Sequence, residues 1–575
     1  MFAPKAGAAN RDGLRQTNDD PLRLHLRPVR GLAGGVARAQ KSHWWPVARS
    51  RLLAMAPLVA FLAVFLLLCA STGARLHLWG DEAYTLQVAA RPVDAILSAD
   101  PFHLPTTYLA LHPIVGWFPP GLELPLRLLH ALIFCVGLVF CWRIARLLLG
   151  PGRATRGVMA LTILLPNYLF HATNIRMYAP LFAASLAFLW TAFRLLEPGG
   201  EKRRGLAWHG LTALLCVLVD WPGLLLVALT WTALLALNGR AVRAWARGKG
   251  WWLVAVGGLL AGGAALFREP ILRLLLEWPS AARSAGQADF NLAALARLVF
   301  LQIRPLLDIV YPPTLPLALN GLLWLLLLAA APLAAAVLWR GGDRRERLVV
   351  VLAFSWVVGS PFGMALTRAF LPSQFFVLLS LALALRRLRS GLPRPATRQR
   401  LRPLALLLWA CLIAVGLANL QQALAPTPRL YSRIPYPTIA REAVAAARAR
   451  RIPLIAVSRH TLNGLSVERF ARPLLTGSEE LRLLAVKPDC AAFPRGRFVY
   501  VQLMPEDGDA SDPEEACAGQ ATVAVQTLRA YVPFAELGWN PLWQGNLRER
   551  GEAGAGARLR VVTITGPADV AYPPR

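Results

Sequence analysis

The chain has 575 residues, 56% of them apolar and 16% charged, with a mean hydropathy of +0.45. A soluble domain runs nearer about 45–50% apolar and about 25% charged, so the balance points into a lipid bilayer. Lys and Arg outnumber Asp and Glu by 62 to 32, a net charge of +30, and only five of the 62 are lysines. The arginines sit in short clusters between long apolar runs, as in a polytopic membrane protein and unlike a nucleic-acid binder. These figures exclude a small soluble enzyme, a collagen-like fibre and a largely disordered chain. Seven cysteines in this length exclude a disulfide framework.

A basic arm, 1–51, comes first, with ten Lys and Arg residues from Lys5 to Arg51. Its Arg, Gly, Ala and Pro content predicts disorder, or a segment lying on anionic lipid. The first apolar run lacks a small-residue cleavage signal and reads as a retained helix. A spanning helix takes about 20 mostly apolar residues. About eleven are predicted, at 52–70, 124–142, 157–171, 178–196, 206–220, 222–238, 251–267, 315–339, 347–366, 369–386 and 404–424. Basic clusters fall at every second connection: Arg143–Arg156, Arg194–Arg204, Arg240–Lys249, Arg340–Arg347 and Arg386–Arg402. That bias places the N-terminus in the cytoplasm and the C-terminus outside, in a multi-pass protein of the cell inner (plasma) membrane. The expected architecture is therefore mainly α, a membrane helical bundle over 52–424 with external loops at 71–123 and 268–314. Leu86–Leu97 and Tyr108–Phe118 suit short helices along the membrane surface.

From 425 to 575 the apolar runs shorten and acids return, with 19 basic against 15 acidic residues. This stretch reads as a soluble external α/β domain. Thr438–Arg450 suits a helix, and Pro453–Val457, Phe498–Met504, Val523–Val532 and Leu559–Thr565 suit strands. Cys69, Cys135, Cys141, Cys216 and Cys411 fall in apolar helices, whereas Cys490 and Cys517 fall in this domain. An external compartment permits disulfides, so these two are expected to pair.

Ionisable residues near the membrane are the informative ones, because their burial has to be compensated. Trp79-Gly80-Asp81-Glu82-Ala83-Tyr84 follows the first helix on the external side. Adjacent carboxylates diverge on a strand or a helix, so one can act while the other orients or binds. The same pair also suits capping of a surface helix starting at Ala83. Phe102-His103-Leu104-Pro105 lies in the same loop. Arg127 opens the second helix, Arg176-Met177-Tyr178 follows His171 and Asn174, and Arg368-Ala369-Phe370 opens the tenth. Snorkelling to the head groups explains any one of these arginines. Three of them opposite the basic clusters suit an anion such as a phosphate. No metal-ligand spacing, Walker loop or dinucleotide fingerprint is present, so no cofactor is expected, although a divalent metal near Asp81 stays open.

These motifs, in this order, resemble the C-type (GT-C) glycosyltransferases, in the branch of protein O-mannosyltransferases and lipid A aminoarabinose transferases. The resemblance covers about 52–390: the Asp-Glu pair, the His-x-Pro, Arg127, the Arg176-x-Tyr178 turn and Arg368-Ala369-Phe370-Leu371-Pro372. Phe370 stands where that branch usually has Tyr, and His103-Leu104-Pro105 where it has His-Pro-Pro or Lys-Pro-Pro. The resemblance implies transfer of a sugar from a polyprenyl-phosphate donor to a protein, lipid or glycan acceptor on the external face, with inversion. It involves membrane lipid and no nucleic acid. In that chemistry Asp81 suits the general base, with Glu82 orienting the acceptor or standing in as base. Arg176 and Arg368, and Arg127 after them, suit the lipid phosphate; Tyr84, Tyr178 and His103 suit hydrogen bonds to sugar or phosphate. A flippase for a lipid-linked sugar would instead show two similar halves with broken helices, which are not seen. A non-catalytic envelope assembly protein, binding through its tail, is the other alternative.

Overall fold

The computed structural model describes residues 36–74, 78, 80–98, 103–117, 123–197, 202–220, 222–239, 317–359, 370–391, 395–424, 436–458, 463–484, 490–503, 512–531 and 557–565. The chain divides into two compact units, Met1–Pro57 and Leu58–Arg575. Of the arm expected to be disordered, residues 36–51 are already part of a helix, α1 (Val36–Gly73). Ala, Arg, Gln and Lys, all good helix formers, dominate its first turns. Residues 1–35 lie outside the described part.

The helices then follow as α2 (Gly80–Ala89), α3 (Val93–Ser98), α4 (Thr106–Val115), α5 (Leu124–Leu149), α6 (Arg153–Ile163), α7 (Pro166–Thr173), α8 (Tyr178–Leu195), α9 (Lys202–Val219), α10 (Pro222–Leu237), α11 (Leu317–Gly341), α12 (Arg344–Ala353), α13 (Trp356–Gly359), α14 (Pro372–Gly391) and α15 (Pro395–Leu424). Among the described residues four stretches are long and apolar enough to cross a membrane: Met55–Gly73, Leu124–Leu149, Tyr178–Leu195 and Leu322–Gly341. Gly205–Val219, Pro222–Leu237 and Trp409–Gln421 are shorter apolar helices. A many-helix membrane protein is thus present, but the count of eleven crossings is not reproduced. The expected span at 251–267 and the loop at 268–314 lie outside the described residues.

Three expected elements are broken, each at an identifiable place. The apolar run 157–171 becomes α6 and α7, because Pro166 has no amide N–H and holds Leu165 extended (ψ 125°). The run 347–366 starts early, at Arg344, under a reciprocal cap. Asp343 accepts the Glu346 N–H at 2.9 Å, and Glu346 accepts the Asp343 N–H at 3.3 Å. That helix ends at Ala353, and 360–369 lie outside the described residues. The expected surface helix Leu86–Leu97 is divided at Pro92 into α2 and α3. Since α2 begins at Gly80 and not at Ala83, Asp81 and Glu82 stand inside its first turn.

The membrane core is aromatic where α5, α7 and α8 meet. Phe134 stacks on Phe182 with centroids 3.9 Å apart, and Tyr168 meets Phe182 edge-on at 4.9 Å. Gly137 allows that approach, since a Cβ there would come within 2.5 Å of the Phe182 ring. The buried Tyr168 hydroxyl donates to the Leu371 carbonyl at 3.2 Å and accepts the Phe375 N–H at 3.3 Å, tying α7 to the start of α14. Val59, Leu67, Val136, Leu325 and Leu333 face outward, an apolar exterior that lipid can cover.

The tail continues with α16 (Tyr436–Ala449), β1 (Leu454–Ser458), α17 (Asn463–Ala471), β2 (Glu480–Leu484), β3 (Gly496–Leu503), α18 (Pro513–Ala516), β4 (Thr522–Tyr531) and β5 (Ala557–Thr565). The sheet order is β2-β1-β3-β5-β4, with β1 parallel to β2 and β3 and the other pairs antiparallel. Strand alternation divides the core. Ile455, Val457, Val499 and Val501 pack under Ile439, Ala440, Ala443 and Val444 of α16. Ala456, Phe498, Tyr500 and Val562 form the opposite face with Phe493, Cys490 and Cys517.

Cys490 and Cys517 form the expected disulfide, 27 residues apart. Loop-closure entropy assigns it about 3–4 kcal/mol. A non-reducing peptide map should return the two cysteines as one linked pair, and replacing both with Ser should lower the melting temperature. Two cysteines alkylated without prior reduction would contradict this.

Glu479 gives the tail a definite response to acid. It accepts from Arg448 Nε at 2.5 Å and from the Thr476 N–H at 2.6 Å. The Arg448 hydrogen bond first, and the Thr476 amide next, hold its pKa down from 4.5 to about 2. A carboxylate with a lowered folded pKa stabilises fully above its unfolded pKa and loses that contribution as pH falls through the folded one. The contribution therefore fades between pH 4.5 and about 2. Urea midpoints near about pH 5 and about pH 2.5 should fall less in Glu479→Gln than in the native chain. Equal falls in both proteins would remove Glu479 from the acid response.

One tail helix touches the segment that contains α2. Phe470 of α17 packs against a buried apolar cluster that includes Leu78, Ala83, Leu86, Leu126 and Ile175, and Arg469 lies 3.7 Å from Glu123. The C-terminal tail therefore rests on α2.

Candidate active site

Two convergences of chain segments form beside α2. The first is at the turn between α7 and α8, residues 174–177. Glu82, fully buried, receives Arg127 Nη2 on Oε2 and the Ile175 N–H on Oε1, each at 3.0 Å. Arg127, itself 1% exposed, uses Nη1 to donate to the Thr173 carbonyl at 2.9 Å. A buried pair with these additional hydrogen bonds meets the geometry that a desolvated ion pair requires. The result is a turn pinned at two consecutive points by residues far away in sequence.

The second convergence is on Arg176. It donates from Nη1 to Thr85 Oγ1 at 3.3 Å and from Nη2 to His103 Nε2 at 3.2 Å. A guanidinium only donates, so Nε2 of His103 is the acceptor and the ring proton stands on Nδ1. That N–H faces Asp220 Oδ1 at 3.4 Å, and Asp220 is buried just beyond α9. His103 itself is placed by the start of α4, where Thr106 Oγ1 donates to the Leu218 carbonyl at 2.5 Å. The chain Thr85–Arg176–His103–Asp220 thus links α2, α4, the 174–177 turn and the end of α9.

Asp81 occupies the position one turn before Thr85, on the face of α2 that meets Arg176. Its neighbour Glu82 lies about 100° round the helix, on the Arg127 side. The side chain of Asp81 and the whole of Arg368 lie outside the described residues. Of the other expected site residues, His103 and Arg176 meet directly, and Glu82 and Arg127 meet beside them. Tyr178 is buried at the start of α8 with its ring 4.7 Å from His171. Tyr84 turns to another neighbour, meeting Tyr108 edge-on at 6.5 Å.

Sequence reading gave no role to Thr85, Asp220 or Asn174. Asp220 carries a visible signal, an acid between the apolar runs 206–220 and 222–238, where ionisable groups are costly. Thr85 carries none, since its value lies only in the partner folded against it. Among the described residues no group of three or more His, Cys, Asp or Glu is placed to hold a metal ion.

No family model matches the chain, and no curated protein matches it either. Solved structures do show similarity. ArnT from Cupriavidus metallidurans in the apo state is 15% identical, with 91% of this chain and 100% of that one covered at a TM-score of 0.49. The same protein bound to undecaprenyl phosphate is 16% identical, with 90% and 100% covered and a TM-score of 0.48. The apo oligosaccharyltransferase of Archaeoglobus fulgidus is 15% identical, with 75% and 64% covered and a TM-score of 0.41. The roles of residues in this chain follow from its own geometry.

Proposed function

We propose that the chain is an integral membrane glycosyltransferase. It moves a sugar from a polyprenyl-phosphate donor to a protein, lipid or glycan acceptor on the external face of the inner membrane. The observation that carries this reading is Arg176 bonded to both His103 and Thr85, with Asp81 one helical turn before Thr85 on α2. The acceptor hydroxyl attacks the anomeric carbon and passes its proton to Asp81. The bond from that carbon to the phosphate oxygen breaks, and its electron pair leaves with the lipid phosphate. Arg176, held in place by Thr85 and His103, stabilises the charge that develops there, together with Arg368. Glu82 and Arg127 fix the 174–177 turn that carries Arg176. A donor embedded in lipid arrives sideways, which accounts for a site at the outer end of a helical bundle. The motif order that resembles the GT-C enzymes supports the same chemistry.

Deleting the gene and measuring membrane lipids and glycans by mass spectrometry tests this reading. One polyprenyl-phosphate sugar should accumulate while one glycan loses a residue. An unchanged lipid and glycan profile would count against a transferase.

A further inference from the structure

Asn174 is fully buried, and neither Oδ1 nor Nδ2 has a hydrogen-bond partner. Leaving both ends of a carboxamide unpaired away from water is costly, because each group forfeits its hydration without a replacement bond. Such orphans are uncommon enough in folded proteins to call for a cause. Relaxation of the turn does not supply one, because the backbone is held at Thr173, at the Asn174 carbonyl and at Ile175. The Thr173 carbonyl accepts from Arg127 at 2.9 Å, the Asn174 carbonyl accepts the Arg176 N–H at 2.8 Å, and the Ile175 N–H donates to Glu82 at 3.0 Å. The side chain between these fixed points is left without a partner, two positions from Arg176.

We infer that Asn174 is a specificity residue that hydrogen-bonds one hydroxyl of the transferred sugar, an inference that rests on the transferase reading. The carboxamide presents one acceptor and one donor group. A phosphate oxygen only accepts, so it satisfies Nδ2 and leaves Oδ1 facing more lone pairs. A sugar hydroxyl donates to Oδ1 and accepts from Nδ2, satisfying both. Division of labour follows: Arg176 handles the phosphate, and Asn174 reads the sugar beside it. A site built to bond a hydroxyl also rejects an analogue that lacks it, because its own polar groups are then left unpaired.

The test uses the full chain in detergent, with Asn174→Leu and Asn174→Ala as variants. Two synthetic probes are compared by direct binding: a polyprenyl-phosphate hexose and the same polyprenyl phosphate without its sugar. Without probe, Asn174→Leu should melt no lower than the native protein, since an apolar side chain of similar shape removes the unpaired groups. The native protein should bind the hexosyl probe more tightly than the bare one, and both variants should lose roughly tenfold of that preference while keeping the bare probe. Lower melting of both variants would mean that Asn174 has an internal structural role, and would overturn the inference. So would an unchanged preference, with water then filling the site. Native protein that binds neither probe would sink the transferase reading, and this inference with it.

Discussion

Arg127→Ala is expected to destabilise the protein by about 3–5 kcal/mol, the usual consequence of leaving one charge of a buried pair uncompensated. Glu82 would stay fully buried and keep the Ile175 N–H, but it would lose the guanidinium that faces its Oε2. The Thr173 carbonyl would lose its donor at the same time. Glu82→Gln should cost a comparable amount from the other side, since it keeps an acceptor for Ile175 but takes the carboxylate charge away from the buried guanidinium. Combining Glu82→Gln with Arg127→Met should cost clearly less than the two single losses added together, because no unpaired charge is left. Thermal melts of the four proteins in one detergent decide the matter. Strict additivity would show that the two residues do not stabilise each other.

Asp81→Asn is expected to lower turnover by roughly 10²–10⁴-fold, the range for removing a positioned general base. Asn keeps the shape and removes the proton acceptor, so melting and donor binding should stay close to native. That division sets Asp81 apart from Glu82, where stability and activity should fall together. A well-folded Asp81→Asn protein with near-normal turnover would place the base elsewhere.

Much of the tail was legible in the sequence because its strands are β-branched and its turns are marked. β1, β3, β4 and β5 each lie within two residues of expectation at either end. β2 was missed, for Glu480-Leu481-Arg482-Leu483-Leu484 places charge on an exposed sheet edge and reads as surface. The pairing of Cys490 with Cys517 was legible from compartment alone. In the membrane region hydropathy located apolar runs but not their breaks, as Pro166 and the Asp343 cap illustrate. The candidate site was legible as a set of residue types: a carboxylate pair, a histidine and arginines at helix ends. Its pairings were not. Glu82 and Arg127 are 45 residues apart and His103 and Asp220 are 117 apart, and no periodicity links positions so distant. Asn174 was visible as a residue, but nothing in a sequence distinguishes a buried orphan amide from a solvated one.

The central claim is transfer of a sugar from a lipid phosphate at the α2 site. The most direct measurement follows labelled sugar from a synthetic polyprenyl-phosphate donor into acceptor, using purified protein in detergent with membrane extract as the acceptor source. The native chain should transfer the label, and Asp81→Asn should nearly abolish transfer while still binding the donor. Donor that is bound but never consumed by the native chain, across the common hexoses and pentoses, would contradict it.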